Sequence, residues 1–169
     1  MRFLIIFIFL ITKSFANENP NIQNLIINKE PIKYDGLTFL DIEGKPIILD
    51  DYLGNLIILN FWATWCAPCK EEMPSLNQLM SYPILDNLKI FPINVGNDDR
   101  LKSQKFLKDL KITNLEPFFV SSMVLAKKLS LRGIPTSILI NKDGKEFARV
   151  VGSIDFVDKK FIEWLKSYN

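Results

Sequence analysis

The chain has 169 residues, 48% of them apolar and only seven of them glycine, enough to bury one sizeable core and too few for two ordinary domains. Its 21 basic and 19 acidic residues leave a formal charge of +2, with no basic patch of the kind that nucleic acid needs; Lys127-Lys128 and Lys159-Lys160 read as solvated helix faces. Histidine is absent, which removes the commonest general base, the commonest transition-metal ligand and every Ser/His or Cys/His catalytic pair.

The chain opens with Met1 and Arg2, an apolar run from Phe3 to Ile11, then Thr12, Lys13 and Ser14-Phe15-Ala16, with no acidic residue before Glu18. A basic start, an apolar middle and a small-residue exit are the order of a secretory signal peptide, which places cleavage after Ala16. An uncleaved anchor is the alternative, but a spanning helix needs about 20 apolar residues and this run stops short at Thr12 and Lys13. Cleavage removes Arg2 and Lys13, so that 19 basic residues balance 19 acidic ones.

Residues 17–34 mix Asn, Ile, Lys and Pro without a clear period and read as a spacer ahead of a domain spanning 35–169. From Leu37 to Leu49 two apolar stretches flank the turn-rich Asp41-Ile42-Glu43-Gly44-Lys45-Pro46, which predicts a β-hairpin. Leu56 to Trp62 is apolar on both alternating faces except at Asn60, as in a strand buried at the middle of a sheet. After the cysteines, Met73, Leu76, Leu79 and Met80 recur at helical spacing, with Pro74 predicted to kink that helix.

A second buried strand is expected over Leu88 to Val95, followed by a helix capped by Asp98 or Asp99 and carrying Phe106, Leu107 and Leu110. Pro117 to Val120 predicts a short strand, and Ser121 or Ser122 a cap for a helix through Leu125, Leu129 and Leu131 that stops before Gly133-Ile134-Pro135. Thr136–Ile140 and Glu146–Val151 read as strands joined by Asn141-Lys142-Asp143-Gly144-Lys145, where Asp-Gly is a strong hairpin turn signal. An amphipathic helix from about Asp155 to Ser167 closes the chain. The order implies an α/β fold, a mixed sheet covered on both faces.

Cys66-Ala67-Pro68-Cys69 lies where the first buried strand gives way to a helix. Cys66 there sits near unpaired backbone N–H groups and the positive helix end, which favour a thiolate. Cys69 falls one turn later and can resolve a mixed disulfide by attacking Cys66. A structural staple is the other reading, but so small a loop contributes only roughly 2 kcal/mol. Two cysteines without histidine cannot complete a four-ligand zinc site. Pro68 suits a first helical turn and stiffens it. Trp62 and Trp65 bracket the motif as core and rim residues or as a platform for substrate.

The run Asn60-Phe61-Trp62-Ala63-Thr64-Trp65-Cys66-Ala67-Pro68-Cys69-Lys70-Glu71-Glu72-Met73-Pro74, with Gly133-Ile134-Pro135-Thr136 further on, resembles the active-site segments of the thioredoxin superfamily in its TlpA/ResA-like exported branch. The likeness runs from about Leu37 to the end of the chain. It implies a thioredoxin fold, a central mixed β-sheet flanked by helices, with an added N-terminal β-hairpin. It also implies a redox-active Cys66–Cys69 disulfide, with Cys66 as nucleophile and Cys69 as resolving thiol. Pro135 would be the cis-proline that faces the pair, with Ile134 offering backbone hydrogen bonds to an extended substrate segment.

Asn60 stands where cytoplasmic thioredoxins carry a buried acid, so the resemblance makes Glu72 the substitute for proton exchange; an exposed helix-surface glutamate is the alternative for Glu72, and Glu71 and Lys70 read as surface. No cofactor is implied. The function implied is a periplasmic thiol:disulfide oxidoreductase that reduces disulfides of client proteins, apocytochrome c or copper-site proteins of respiratory oxidase assembly, with electrons from a membrane thiol donor of the DsbD/CcdA type. An oxidant that inserts disulfides and a copper-binding metallochaperone are the alternatives. Strongly oxidising relatives usually carry histidine between the cysteines, and the copper chaperones pair a wider cysteine spacing with a histidine; this sequence has neither.

Overall fold

The structure, a computed structural model, describes residues 20–120 and 123–169. The signal read over 1–16 and the caps read at Ser121 or Ser122 lie outside the described residues. In chain order the elements are β1 (Leu25–Lys33), β2 (Thr38–Leu40), β3 (Pro46–Ile48), β4 (Leu56–Trp62), α1 (Ala67–Leu79), β5 (Leu88–Asn94), α2 (Arg100–Asp109), β6 (Phe118–Phe119), α3 (Met123–Lys128), β7 (Thr136–Ile140), β8 (Lys145–Val151) and α4 (Lys159–Lys166). The strands form one sheet in the order β1-β8-β7-β4-β5-β6-β2-β3.

β4 lies inside that sheet, parallel to β5 and antiparallel to β7, and all seven of its residues are buried. Two covered faces explain why it lacks the alternation of a half-exposed strand. On one face Leu56, Ile58 and Trp62 pack with Met73 and Leu76 of α1, Leu107 of α2, and Phe161, Trp164 and Leu165 of α4. On the other, Ile57, Leu59 and Phe61 meet Leu37, Phe39, Leu49 and Leu125. Burying each such aliphatic or aromatic side chain is worth about 1.5–3 kcal/mol, so this strand is the best-anchored support available for whatever follows it.

The expected hairpin forms between β2 and β3. The Asp41 carboxylate accepts from the backbone N–H groups of Glu43 and Lys45, both at 2.8 Å, and Gly44 takes a φ of +86° that a side chain would resist. Leu40 pairs with Phe119, which ties the hairpin to β6. At the other hairpin, between β7 and β8, Asn141 plays the same part by accepting from Asp143 and Lys145.

Two readings are corrected. Residues 25–33, read as part of a spacer, form β1, which pairs antiparallel with β8 from Leu25↔Val150 to Lys33↔Lys145. Its pairing is interrupted between Ile27 and Ile32, and as an edge strand it buries little, so no period marks it in the sequence. Tyr34 also belongs to the domain, donating to the buried Glu146 at 2.7 Å beside the Arg149 guanidinium. The last helix begins at Lys159 rather than near Asp155, because Asp155 accepts from the Val157 N–H in a turn and Asp158 is the N-cap, accepting from Lys160 and Phe161. Among the described residues no helix is long and apolar enough to cross a membrane.

Candidate active site

The site starts where β4 runs out. A turn closed by the Cys66 N–H donating to the Ala63 carbonyl at 3.2 Å delivers Cys66 to the N-cap of α1. There its backbone is extended and its Sγ accepts from the Cys69 N–H at 3.3 Å. The sulfur thus occupies the place where a helix start stabilises negative charge. Cys66 and Cys69 form a disulfide with their Cα atoms 5.3 Å apart. Cys66 keeps 5% of its surface exposed and Cys69 none, so only the first sulfur can be approached.

The two tryptophans part company. Trp62 is fully buried and stacks on Phe106 with ring centroids 5.0 Å apart, whereas Trp65 is 66% exposed beside Cys66. Lys70 and Glu71 are exposed. Pro74 sits inside α1.

Glu72 is buried, with 2% of its surface exposed, on the face of α1 that turns toward the sheet. The Asn60 amide donates to its Oε1 at 2.7 Å and to the Ser137 hydroxyl at 2.9 Å. Oε2 has no hydrogen-bond partner of ordinary geometry among the described residues. Burial raises the Glu72 pKa; the Asn60 amide and the Ile154 backbone N–H pull it down, but burial wins and lifts it from 4.5 to about 7. A cleft of about 540 Å³ between α1 and residues 153–155 is lined in part by Glu72, Ser75 and Ile154.

The Ile134–Pro135 peptide bond is cis, and Pro135 is buried. The loop is held by the Thr136 hydroxyl donating to the Gly133 carbonyl at 2.8 Å and by the Gly152 N–H donating to the Pro135 carbonyl at 2.9 Å. Ile134 is half-buried, and its own N–H and C=O find no backbone partner among the described residues.

Two contributors escaped the sequence reading. Ser137 joins Asn60 and Glu72 because β7 pairs with β4 in the register Asn60↔Ser137, which no local pattern displays. Asp98, read only as an alternative helix cap, is instead a buried carboxylate bound to Thr64, while Asp99 caps α2. The signal available was the clustering of Asn94, Asn97, Asp98 and Asp99 at the carboxyl end of a buried strand, where functional groups collect.

A model described as the AhpC/TSA family matches residues 32–145. The chain belongs to the AhpC/TSA family. It is 36% identical over 129 residues to the thiol-disulfide oxidoreductase ResA of Geobacillus thermodenitrificans, covering 75% of this chain and 72% of that one. It is 34% identical over 113 residues to the ResA of Bacillus cereus, covering 66% of this chain and 64% of that one, a little under two thirds of the relative's length. A solved thiol:disulfide interchange protein of the thioredoxin family from Chlorobium tepidum matches the fold with a TM-score of 0.64 and 24% identity, over 82% of this chain and 99% of that one. The chain is thus a thiol-disulfide oxidoreductase of the ResA type on a thioredoxin fold, with Cys66–Cys69 as its cysteine pair.

Proposed function

We propose that the protein is an exported reductant of disulfides in client proteins, working in the periplasm on apocytochrome c or on copper-site proteins of oxidase assembly and drawing electrons from a membrane thiol donor of the DsbD/CcdA type. The observation that carries the reading is the asymmetry of the pair: Cys66 holds the helix start and keeps the pair's residual exposure, while Cys69 is wholly buried. The Cys66 thiolate attacks one sulfur of the client disulfide, forming a mixed disulfide as the client's other sulfur leaves and takes up a proton. Cys69 then loses its proton and attacks Cys66 Sγ. The protein's disulfide forms, the second client thiol departs, and two electrons have passed to the client.

Glu72 handles the proton of Cys69. It lies three residues further along α1, hence on the same helix face, and a pKa of about 7 lets it accept and return a proton near neutrality. The adjoining cleft gives that carboxyl a route to solvent. Ile134, whose N–H and C=O find no backbone partner among the described residues, and Pro135 bind an extended client segment.

The test is capture of clients from periplasmic extract with Cys69→Ser, which cannot resolve the mixed disulfide. Recovery of cytochrome or copper-site proteins linked through Cys66 is expected. Failure to capture disulfide-bearing clients, together with transfer of the wild-type Cys66–Cys69 disulfide to reduced exported proteins, would instead favour the oxidant.

A further inference from the structure

The turn that presents Cys66 is gripped from outside by one carboxylate. Thr64 is a central residue of that turn, two positions before the nucleophile. Its backbone N–H donates to Asp98 Oδ2 at 2.9 Å and its hydroxyl to Asp98 Oδ1 at 2.7 Å. The same carboxylate accepts from the Asn94 amide at 3.0 Å and from the Lys102 ammonium. Its side chain is 2% exposed while that of Lys102 is 57% exposed. Burial by itself would raise the Asp98 pKa, but the bonds from Lys102, Thr64 and Asn94 outweigh it and hold the group well below the usual carboxylate range.

A second feature adjoins this contact, since a Cβ built at Gly96 would also lie 3.0 Å from Asp98 Oδ2. The loop after β5 approaches the turn so closely at Gly96 that a Cβ there would lie 2.5 Å from Ala63 Cβ and 2.9 Å from the Trp65 indole nitrogen. Asn94 secures that loop, accepting from the Gly96 N–H at 2.8 Å and donating to Ser103 at 3.2 Å. Both flanks of the turn before Cys66 are therefore fixed by groups that lie outside the Cys-Ala-Pro-Cys motif.

We propose that Asp98 is a positioning residue for the attacking thiol, clamping Thr64 so that Cys66 Sγ stays aligned with the first amides of α1. Gly96 shares the task by letting the supporting loop reach the turn. The inference rests on the reading of Cys66 as the attacking thiol and adds the part of the fold that holds it in place.

Two effects of Asp98 on Cys66 have opposite signs, which makes the claim decidable. A negative charge near the sulfur disfavours the thiolate, so loss of charge alone lowers the Cys66 pKa. Loss of the clamp frees the sulfur from the helix start and raises it. Asp98→Ala removes both, whereas Asp98→Asn removes the charge and keeps an oxygen for the Thr64 N–H.

The experiment titrates thiolate absorbance of the fully reduced protein in the ultraviolet, with melting temperatures recorded alongside. Lys70, Glu71 and Glu72 on α1 and Lys102 on α2 are left in place throughout. Asp98→Ala is expected to raise the Cys66 pKa by about one pH unit, with about tenfold less thiolate at neutral pH and a matching fall in the rate of attack on a small-molecule disulfide. Asp98→Asn is expected to restore the wild-type value or fall below it. Thr64→Val, which removes only the hydroxyl, should give a smaller rise and serves if Asp98→Ala does not fold. An unchanged or lowered pKa in Asp98→Ala, an equal rise in Asp98→Asn, or no rise in Thr64→Val where Asp98→Ala is lost would overturn the proposal. The wild-type curve by itself tests whether Cys66 is the low-pKa thiol, and the differences between curves test the clamp.

Discussion

The Asn60 amide donates to the Glu72 carboxylate at 2.7 Å from the middle of the sheet, so the one buried acid of α1 is held by a group that can neither take nor give a proton. One such bond does not offset the cost of burying a charge, and the Glu72 pKa accordingly stands near 7.

The sign of the consequence for stability follows. The folded protein holds the Glu72 proton more tightly than the unfolded chain, so the contribution of this group is fully present below pH 4.5 and is lost as the pH rises through about 7. The loss amounts to about 3 kcal/mol. In urea unfolding of the oxidised protein, Glu72→Gln should flatten this fall and be the more stable form at pH 8, with the two proteins converging near pH 4. Parallel curves at both pH values would place the Glu72 pKa at its ordinary value.

The cysteine pair should register the same carboxylate. A charged Glu72 disfavours a second negative charge on the same helix face, so Glu72→Gln should lower the apparent pKa of the pair and slow client reduction, with an altered pH profile. Thiolate absorbance followed across pH in both reduced proteins checks this; coincident curves with equal rates would reject a role in proton exchange.

Asn60→Asp sets a second acid against the first. Two carboxyl groups within hydrogen-bond distance share a proton, so the variant should retain one bound proton at pH 7 and lose stability more steeply than wild type above it. Proton release on unfolding at pH 7, measured in buffers of different ionisation enthalpy, reads it directly.

Packing beneath the site is separable from its chemistry. Phe161 of α4 is fully buried, with Phe156 at 5.5 Å and Trp164 at 5.8 Å between ring centroids. Phe161→Ala should cost about 3–5 kcal/mol and leave the thiolate titration of the folded protein in place.

The export reading has its own check. Mass spectrometry of protein recovered from the periplasm should find Asn17 at the mature amino terminus, and an intact Met1 on membrane-bound protein would favour an anchor.

What the sequence discloses follows the range of the interactions involved. β4 and the Cys-Ala-Pro-Cys helix start are legible because seven consecutive buried residues and a cap-and-proline pattern are local signals. The two hairpin turns are legible because Asp41 and Asn141 each bond to amides a few residues away. β1 is not, since it is an edge strand whose only reason for being extended is its partner β8, 118 residues away at Asn28 and Glu146. The bond from Asn60 to Ser137 spans 77 residues and the bonds from Thr64 to Asp98 span 34; both depend on sheet register and loop placement. The sequence names the sulfurs, and the fold supplies the groups that hold and titrate around them.

Pulse alkylation of the fully reduced protein at neutral pH, with the labelled cysteine located by peptide mass spectrometry, decides which sulfur attacks. A helix-start thiol with residual exposure should be a thiolate well below the usual pKa of about 8.5, so Cys66 should be labelled first and Cys69 only after prolonged exposure or unfolding. Preferential labelling of Cys69 would contradict the assignment of nucleophile and resolving thiol on which the mechanism rests.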